Sequence, residues 1–156
     1  MSEQPSPDQV RGTVTWLARN EPHPARQAQQ NALACAIAGD KQGWLALWAA
    51  NCEIFDPVGP SFFDPEGVGH HGPSGTEHFW DVAIAPVQRF DVEIRTSHAC
   101  GDSAAQEATF RTGFADGSRA EIDLVVVYRV DAAGLITSMR AYWELDSVRF
   151  TSAPTS

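Results

Sequence analysis

The chain has 156 residues, 43% apolar and 10% aromatic, which suits one globular domain with a sizeable core and leaves little room for a second. Twenty acids against eleven bases give a net charge of -9, and the Lys and Arg residues never cluster, so a phosphate backbone is repelled and nucleic acid is a poor partner. No apolar run approaches the roughly 20 residues of a membrane helix. The N-terminus lacks a basic segment followed by an apolar stretch, so no secretory leader is read and the expected compartment is the cytoplasm. Cys35, Cys52 and Cys100 are odd in number and lack metal-type spacing, as expected of free thiols.

In chain order, residues 1–22 carry Pro, Ser and Gln around a brief Val14-Thr15-Trp16-Leu17 patch and read as a flexible arm, with Trp16 as its docking point. A single domain is expected over 23–150, with a tail over 151–156. Pro24 to Ile37 is rich in helix formers, with Pro24 suited to a first turn and Gly39 to the end. Asp40 reads as the N-cap of a short helix, Lys41 to Trp48, whose Trp44, Leu45, Leu47 and Trp48 face a core. Cys52 to Phe55 reads as a strand that stops at Pro57, which makes Asp56 a strand-end acid: a turn former or a base aimed into a cavity.

Gly59 to Gly72 holds four Gly and two Pro in fourteen positions and reads as a loop. Its apolar Phe62-Phe63 pair suits a lid. A third helix is expected from Ser74 to about Ile84, closed by Pro86. Four long strands follow, Phe90 to Ala99, Ala104 to Phe114, Ser118 to Val130 and Leu135 to Leu145, with turn signals at Asp116-Gly117 and between Asp131 and Gly134. Strands this long with aromatics must curl, and with helices on one side the expected result is a cone-shaped α+β fold: a curved mixed or antiparallel sheet wrapped by about three helices around a pocket.

Two stretches carry a family resemblance over about Pro24 to Leu145: Phe55-Asp56-Pro57-Val58-Gly59, and Tyr128-Arg129-Val130-Asp131 through Gly134-Leu135-Ile136-Thr137-Ser138-Met139-Arg140-Ala141-Tyr142-Trp143. They resemble the bacterial steroid Δ5-3-ketoisomerases of the NTF2-like, SnoaL-like superfamily. The resemblance implies a small apolar, steroid-like ligand, no cofactor and usually a homodimer through the outer sheet face. It places Asp56 on the family's general base, which takes a proton from the carbon next to a ketone and returns it two carbons along, beside a Tyr and a protonated Asp that hold the dienolate oxygen. Counted without gaps, that Tyr falls on Ala32 and that Asp on Val126, so both usual oxyanion donors are absent. Trp48 and Trp80 fall where some members carry tyrosines.

Tyr128 shares a strand face with Val126 by the period of two and is a candidate replacement donor, though an aromatic that merely packs reads the same. Met139, Ala141 and Trp143 share the face expected to line the pocket, and with Trp48, Phe55, Trp80, Val126, Phe62 and Phe63 they form the expected apolar ligand surface. Glu121 and Asp123 lie on the other face. Asp123 is the alternative catalytic acid if the protein is a SnoaL-type cyclase or limonene-type epoxide hydrolase, and a non-catalytic ligand binder is the third reading. His70-His71 has no third ligand at useful spacing, so no metal is expected, and His78 and His98 read as surface or satisfied polar residues.

Overall fold

The computed structural model describes residues 11–153. Helix α1 runs Pro24–Ala38; the His23 side chain accepts the Ala25 N–H at its start, and Gly39 ends it in the left-handed region at φ 71°, its own N–H reaching the Ala36 carbonyl. Ala25, Ala28, Ala32 and Ala36 are buried, and such small side chains let the helix lie close on its neighbours.

Helix α2 is only Lys41–Leu45, capped by Asp40, whose Oδ1 accepts the Gly43 N–H at 2.9 Å. The helix expected to reach Trp48 stops early because the chain is claimed by the sheet. The Ile136 N–H donates to the Leu47 carbonyl at 2.9 Å, and Trp48 pairs with Ile136 as β2, Trp48–Phe55, begins. Tertiary pairing overrides local helix spacing here. After β3, His70–His71, helix α3 spans Gly72–Phe79 and continues as a π-helical turn over Trp80–Ile84, in which the Ala85 N–H reaches back five residues to the Trp80 carbonyl.

The four long strands are β4 Val87–Cys100, β5 Ser103–Phe114, β6 Arg119–Val130 and β7 Ile136–Tyr142, close to the expected spans. Asp116 and Asp131 each accept backbone N–H groups in the turns that join them. β8, Arg149–Thr151, pairs with β6. With β1, Val14–Trp16, they form one curved, unclosed eight-stranded sheet in the order β1-β4-β5-β6-β7-β2-β3, with β8 beside β6. It is mixed: β1 with β4 and β2 with β7 are parallel, the rest antiparallel. Register shifts within β4, as between Ile94 and Thr96, help it bend.

Three residues of the segment expected as a flexible arm belong to this sheet; residues 1–10 lie outside the described residues. β1 is Val14–Trp16, paired parallel with Val92–Ile94. Ahead of it, the Arg11 N–H donates to the Ile37 carbonyl and the Arg11 carbonyl accepts the Phe90 N–H, at 3.0 and 3.1 Å. Gly12 permits this approach, since a Cβ there would lie 1.8 Å from the Phe90 carbonyl oxygen. No helix among the described residues is long and apolar enough to cross a membrane.

Candidate active site

A cavity of about 480 Å³ opens between α1, the π-helical turn, the Phe62-Phe63 loop and one face of the sheet. The sheet supplies alternate residues: Phe110, Thr112 and Phe114 from β5, Ala120, Ile122, Leu124, Val126 and Tyr128 from β6, then Met139, Ala141 and Trp143. This is the period of two at work, one side of each strand turned to the hollow. Ala32, Leu33 and Ala36 of α1 and Val82, Ala83 and Ile84 of the π turn face them. Polar groups in this wall are few, and Asp56 is its one carboxylate among the described residues.

Pairing of β2 with β7 aims Asp56. Ile54 aligns with Met139, Phe55 with Arg140, and the Val58 N–H donates to the Ala141 carbonyl at 2.9 Å, so Asp56 falls on the Ile54 side, beside Ala141 and Trp143. The Trp143 indole N–H donates to Asp56 Oδ1 at 2.7 Å. Burial among apolar neighbours pushes the Asp56 carboxyl up to about 6, against the pull of that hydrogen bond toward the ionised form. The Tyr128 phenol is held above its usual range, first by burial and then by the Asp56 charge. Its hydroxyl makes no hydrogen bond to another described residue, and it opens on the same cavity.

The other expected site residues divide between the cavity wall and places away from it. Val126, Met139, Ala141, Trp143, Phe62 and Phe63 line the cavity, as do Ala32 and Tyr128. Phe62 is 66% exposed, its ring 6.0 Å from Trp143, while Phe63 packs 6.5 Å from Phe79. Asp64 holds this loop by accepting the Val68 and Gly69 N–H groups.

Phe55 is not on the wall: with Asp56 turned in, the period of two turns Phe55 out, against Gly69 and under the Arg140 guanidinium at 4.7 Å. Trp48 and Trp80 are buried behind the wall, each against Trp44, at 5.1 and 5.4 Å, and it is Trp44 that meets the cavity. The π turn contributes to this for Trp80, since its wider winding brings Val82 to Ile84 to the hollow instead.

Asp123 lies on the opposite sheet face, exposed, accepting from Thr109 Oγ1 at 2.7 Å and Arg149 at 3.0 Å. These bonds, Arg149 first, hold its carboxyl below the usual range, so it is a poor base. Glu121 pairs with Arg149 on the same outer side. His70 is buried behind Phe79 and His71 meets the Val68 carbonyl; no group of three or more metal-binding side chains exists among the described residues. The sequence reading missed Arg11, Phe90, Phe110, Phe114 and Ile122 as wall residues. Alternate apolar positions along the expected strands carried that signal for the last three.

The model of the SnoaL-like domain matches residues 29–139. The chain belongs to the SnoaL-like family. Among solved structures, this SnoaL-like protein is 37% identical to RV0760c of Mycobacterium tuberculosis, solved in complex with estradiol-17beta-hemisuccinate, over 83% of this chain and 100% of that one, with a TM-score of 0.77. It is 35% identical to a Δ5-3-ketosteroid isomerase of Mycobacterium sp., over 83% and 100%, with a TM-score of 0.79. An epoxide hydrolase of M. tuberculosis shares the fold at 22% identity, over 79% and 84%, with a TM-score of 0.64. No curated protein matches the SnoaL-like chain.

Proposed function

We propose that the protein takes a steroid-like or other polycyclic ketone into its cavity and that Asp56 acts as general base, removing a proton from the carbon next to the carbonyl and returning it two carbons along. The observation that carries this reading is a carboxylate pushed up to about 6, the one acid among the described residues of a largely apolar wall. A base with that affinity for protons is largely ionised at neutral pH yet gives the proton back readily. The Trp143 N–H fixes one carboxylate oxygen and leaves the other for the ligand. Similarity to a ketosteroid isomerase and to a protein solved with an estradiol ester supports a steroid as ligand.

Charge that develops on the ketone oxygen needs a donor, and Ala32 and Val126, both in the wall, offer none. In this reading the Tyr128 hydroxyl is that donor. With one donor in place of two, turnover is slow compared with an efficient isomerase, since each such donor is worth on the order of 10²–10³ in rate. A second reading, binding without turnover, draws on the same two apolar positions. The hydrolase or cyclase reading through Asp123 is disfavoured by its place outside the cavity. The protein works as a homodimer through its outer sheet face in either reading, and a monomer by light scattering would remove that part.

The test follows conversion of a 3-keto-Δ5 steroid to the conjugated ketone by ultraviolet absorbance, with binding of an equilenin-like phenol measured alongside. Asp56→Asn is expected to abolish turnover and keep the phenol's affinity, because the amide holds the shape but takes no proton. Unchanged turnover removes Asp56 from the mechanism, and tight binding without turnover by the parent selects the second reading.

A further inference from the structure

Arg11 is the one cation in the cavity wall among the described residues, and it has no carboxylate partner there. Its guanidinium is held in place: Nη1 donates to the Val87 carbonyl, and Nη2 to the Ala36 carbonyl at 2.7 Å. A guanidinium carries five N–H donors. Three are therefore left without an acceptor among the described residues, and the Nε–H is sealed from solvent. Among the described residues no acid offsets this half-buried Arg beside an apolar hollow, an arrangement that costs free energy. Burial holds its pKa below the ordinary value without a counter-charge to restore it.

Arg11 and Asp56 stand at different levels of the sheet. The Arg11 guanidinium bonds to Val87, which pairs with Phe114 at the end of β5; Asp56 lies beside Ala141, which pairs with Val126 of β6. The β6 residue nearest the Phe114 end is Arg119, paired with Gly113, and it lies seven residues, about 23 Å along the strand, from Val126. The cavity between the two rows is apolar.

We infer that the ligand is an acid at one end: a polycyclic ketone whose carboxylate-bearing side chain meets Arg11 while its ketone ring reaches Asp56. This rests on the ketone-binding reading above and narrows it to a substrate class. A carboxylate fits the planar fork of the guanidinium and supplies the missing counter-charge. Two-ended recognition also sets direction, since a reversed ligand would place its carboxylate against Asp56, like charge on like charge.

The experiment compares 3-oxochol-4-en-24-oic acid with its methyl ester, by calorimetry on the whole protein, and follows the Arg Nε–H resonances of the unmutated protein by proton–nitrogen NMR. The acid is expected to bind about tenfold or more tightly, as a hydrogen bond to a charged group implies. It should also shift the Arg11 Nε–H resonance, with no such shift from the ester. Arg11→Met should erase the preference, so that acid and ester, both measured on the variant, bind alike; should that variant not fold, the resonance decides. Equal affinities, a preference that survives Arg11→Met, or a resonance that ignores the acid each overturn the inference while leaving the ketone reading standing. If neither compound binds, the ketone reading falls and takes this one with it.

Discussion

Trp143 donates its indole N–H to Asp56 across 2.7 Å, and it is the sole hydrogen-bond partner of that carboxylate among the described residues. The two residues are 87 positions apart and meet because β2 runs parallel beside β7. An indole can donate but cannot accept, so this contact favours the ionised acid and gives nothing to the neutral one.

Trp143→Phe should therefore raise the Asp56 pKa above about 6. The acidic limb of the pH profile of kcat/KM moves upward, and activity at pH 6 falls by a larger factor than at pH 8. Carbon-13 NMR of the Asp56 carboxyl reads the same shift if turnover is too slow. An unmoved midpoint would mean that the indole packs against the acid without tuning it.

Asp56 also sets a sign for stability. Its folded value of about 6 lies above the ordinary 3.8, so the folded protein holds this proton more tightly. The resulting stabilisation is present below about pH 3.8 and is lost as the pH rises through 6. Asp56→Asn should consequently be more stable than the parent at pH 7.5, by on the order of 1–3 kcal/mol and so with a higher melting temperature, and the gap should narrow toward pH 4. A gap independent of pH would place the carboxyl in water.

Tyr128→Phe separates a donor from a packing aromatic. The hydroxyl bonds to no described residue, so its loss should barely change the melting temperature. If it meets the ketone oxygen, kcat drops by about 10²–10³ with a smaller change in KM. Equal rates for the two proteins would leave Tyr128 with packing alone.

Gly12→Ala tests the N-terminal seam. The added carbon would sit 1.8 Å from the Phe90 carbonyl oxygen, which is backbone and cannot step aside. The variant should lose about 1–3 kcal/mol or more, read as a lower melting temperature. A neutral outcome would show that β1 and β4 part easily.

Legibility in the sequence followed the length of the repeating pattern. The meander from β4 to β7 was readable because each strand alternates over many residues and Asp-rich turns punctuate it. β1 was not, since Val14–Trp16 is too short to display a period and its partner Val92 is far along the chain. Asp56 was legible through Pro57 and the family resemblance, and its neighbours Met139, Ala141 and Trp143 by alternation. Trp48 was misread because Trp44, Leu45, Leu47 and Trp48 are spaced like a helix face, while pairing with Ile136 decided the outcome. Arg11 left no local trace; its place is set by which carbonyls and which hollow it meets.

The π-helical turn at Trp80–Ile84 bears on how relatives should be aligned. Such a turn holds one residue more than an α-helical turn, so side chains after it are offset by about 100° from where straight counting puts them. Substitutions transferred from a relative whose helix lacks that extra residue would land on the wrong side of the turn that closes α3, over Trp80–Ile84. Deleting a single residue here, in contrast, would wind the segment back into phase and exchange the aliphatic wall of the cavity for a different set of side chains, a one-step route to a new ligand shape within an unchanged sheet.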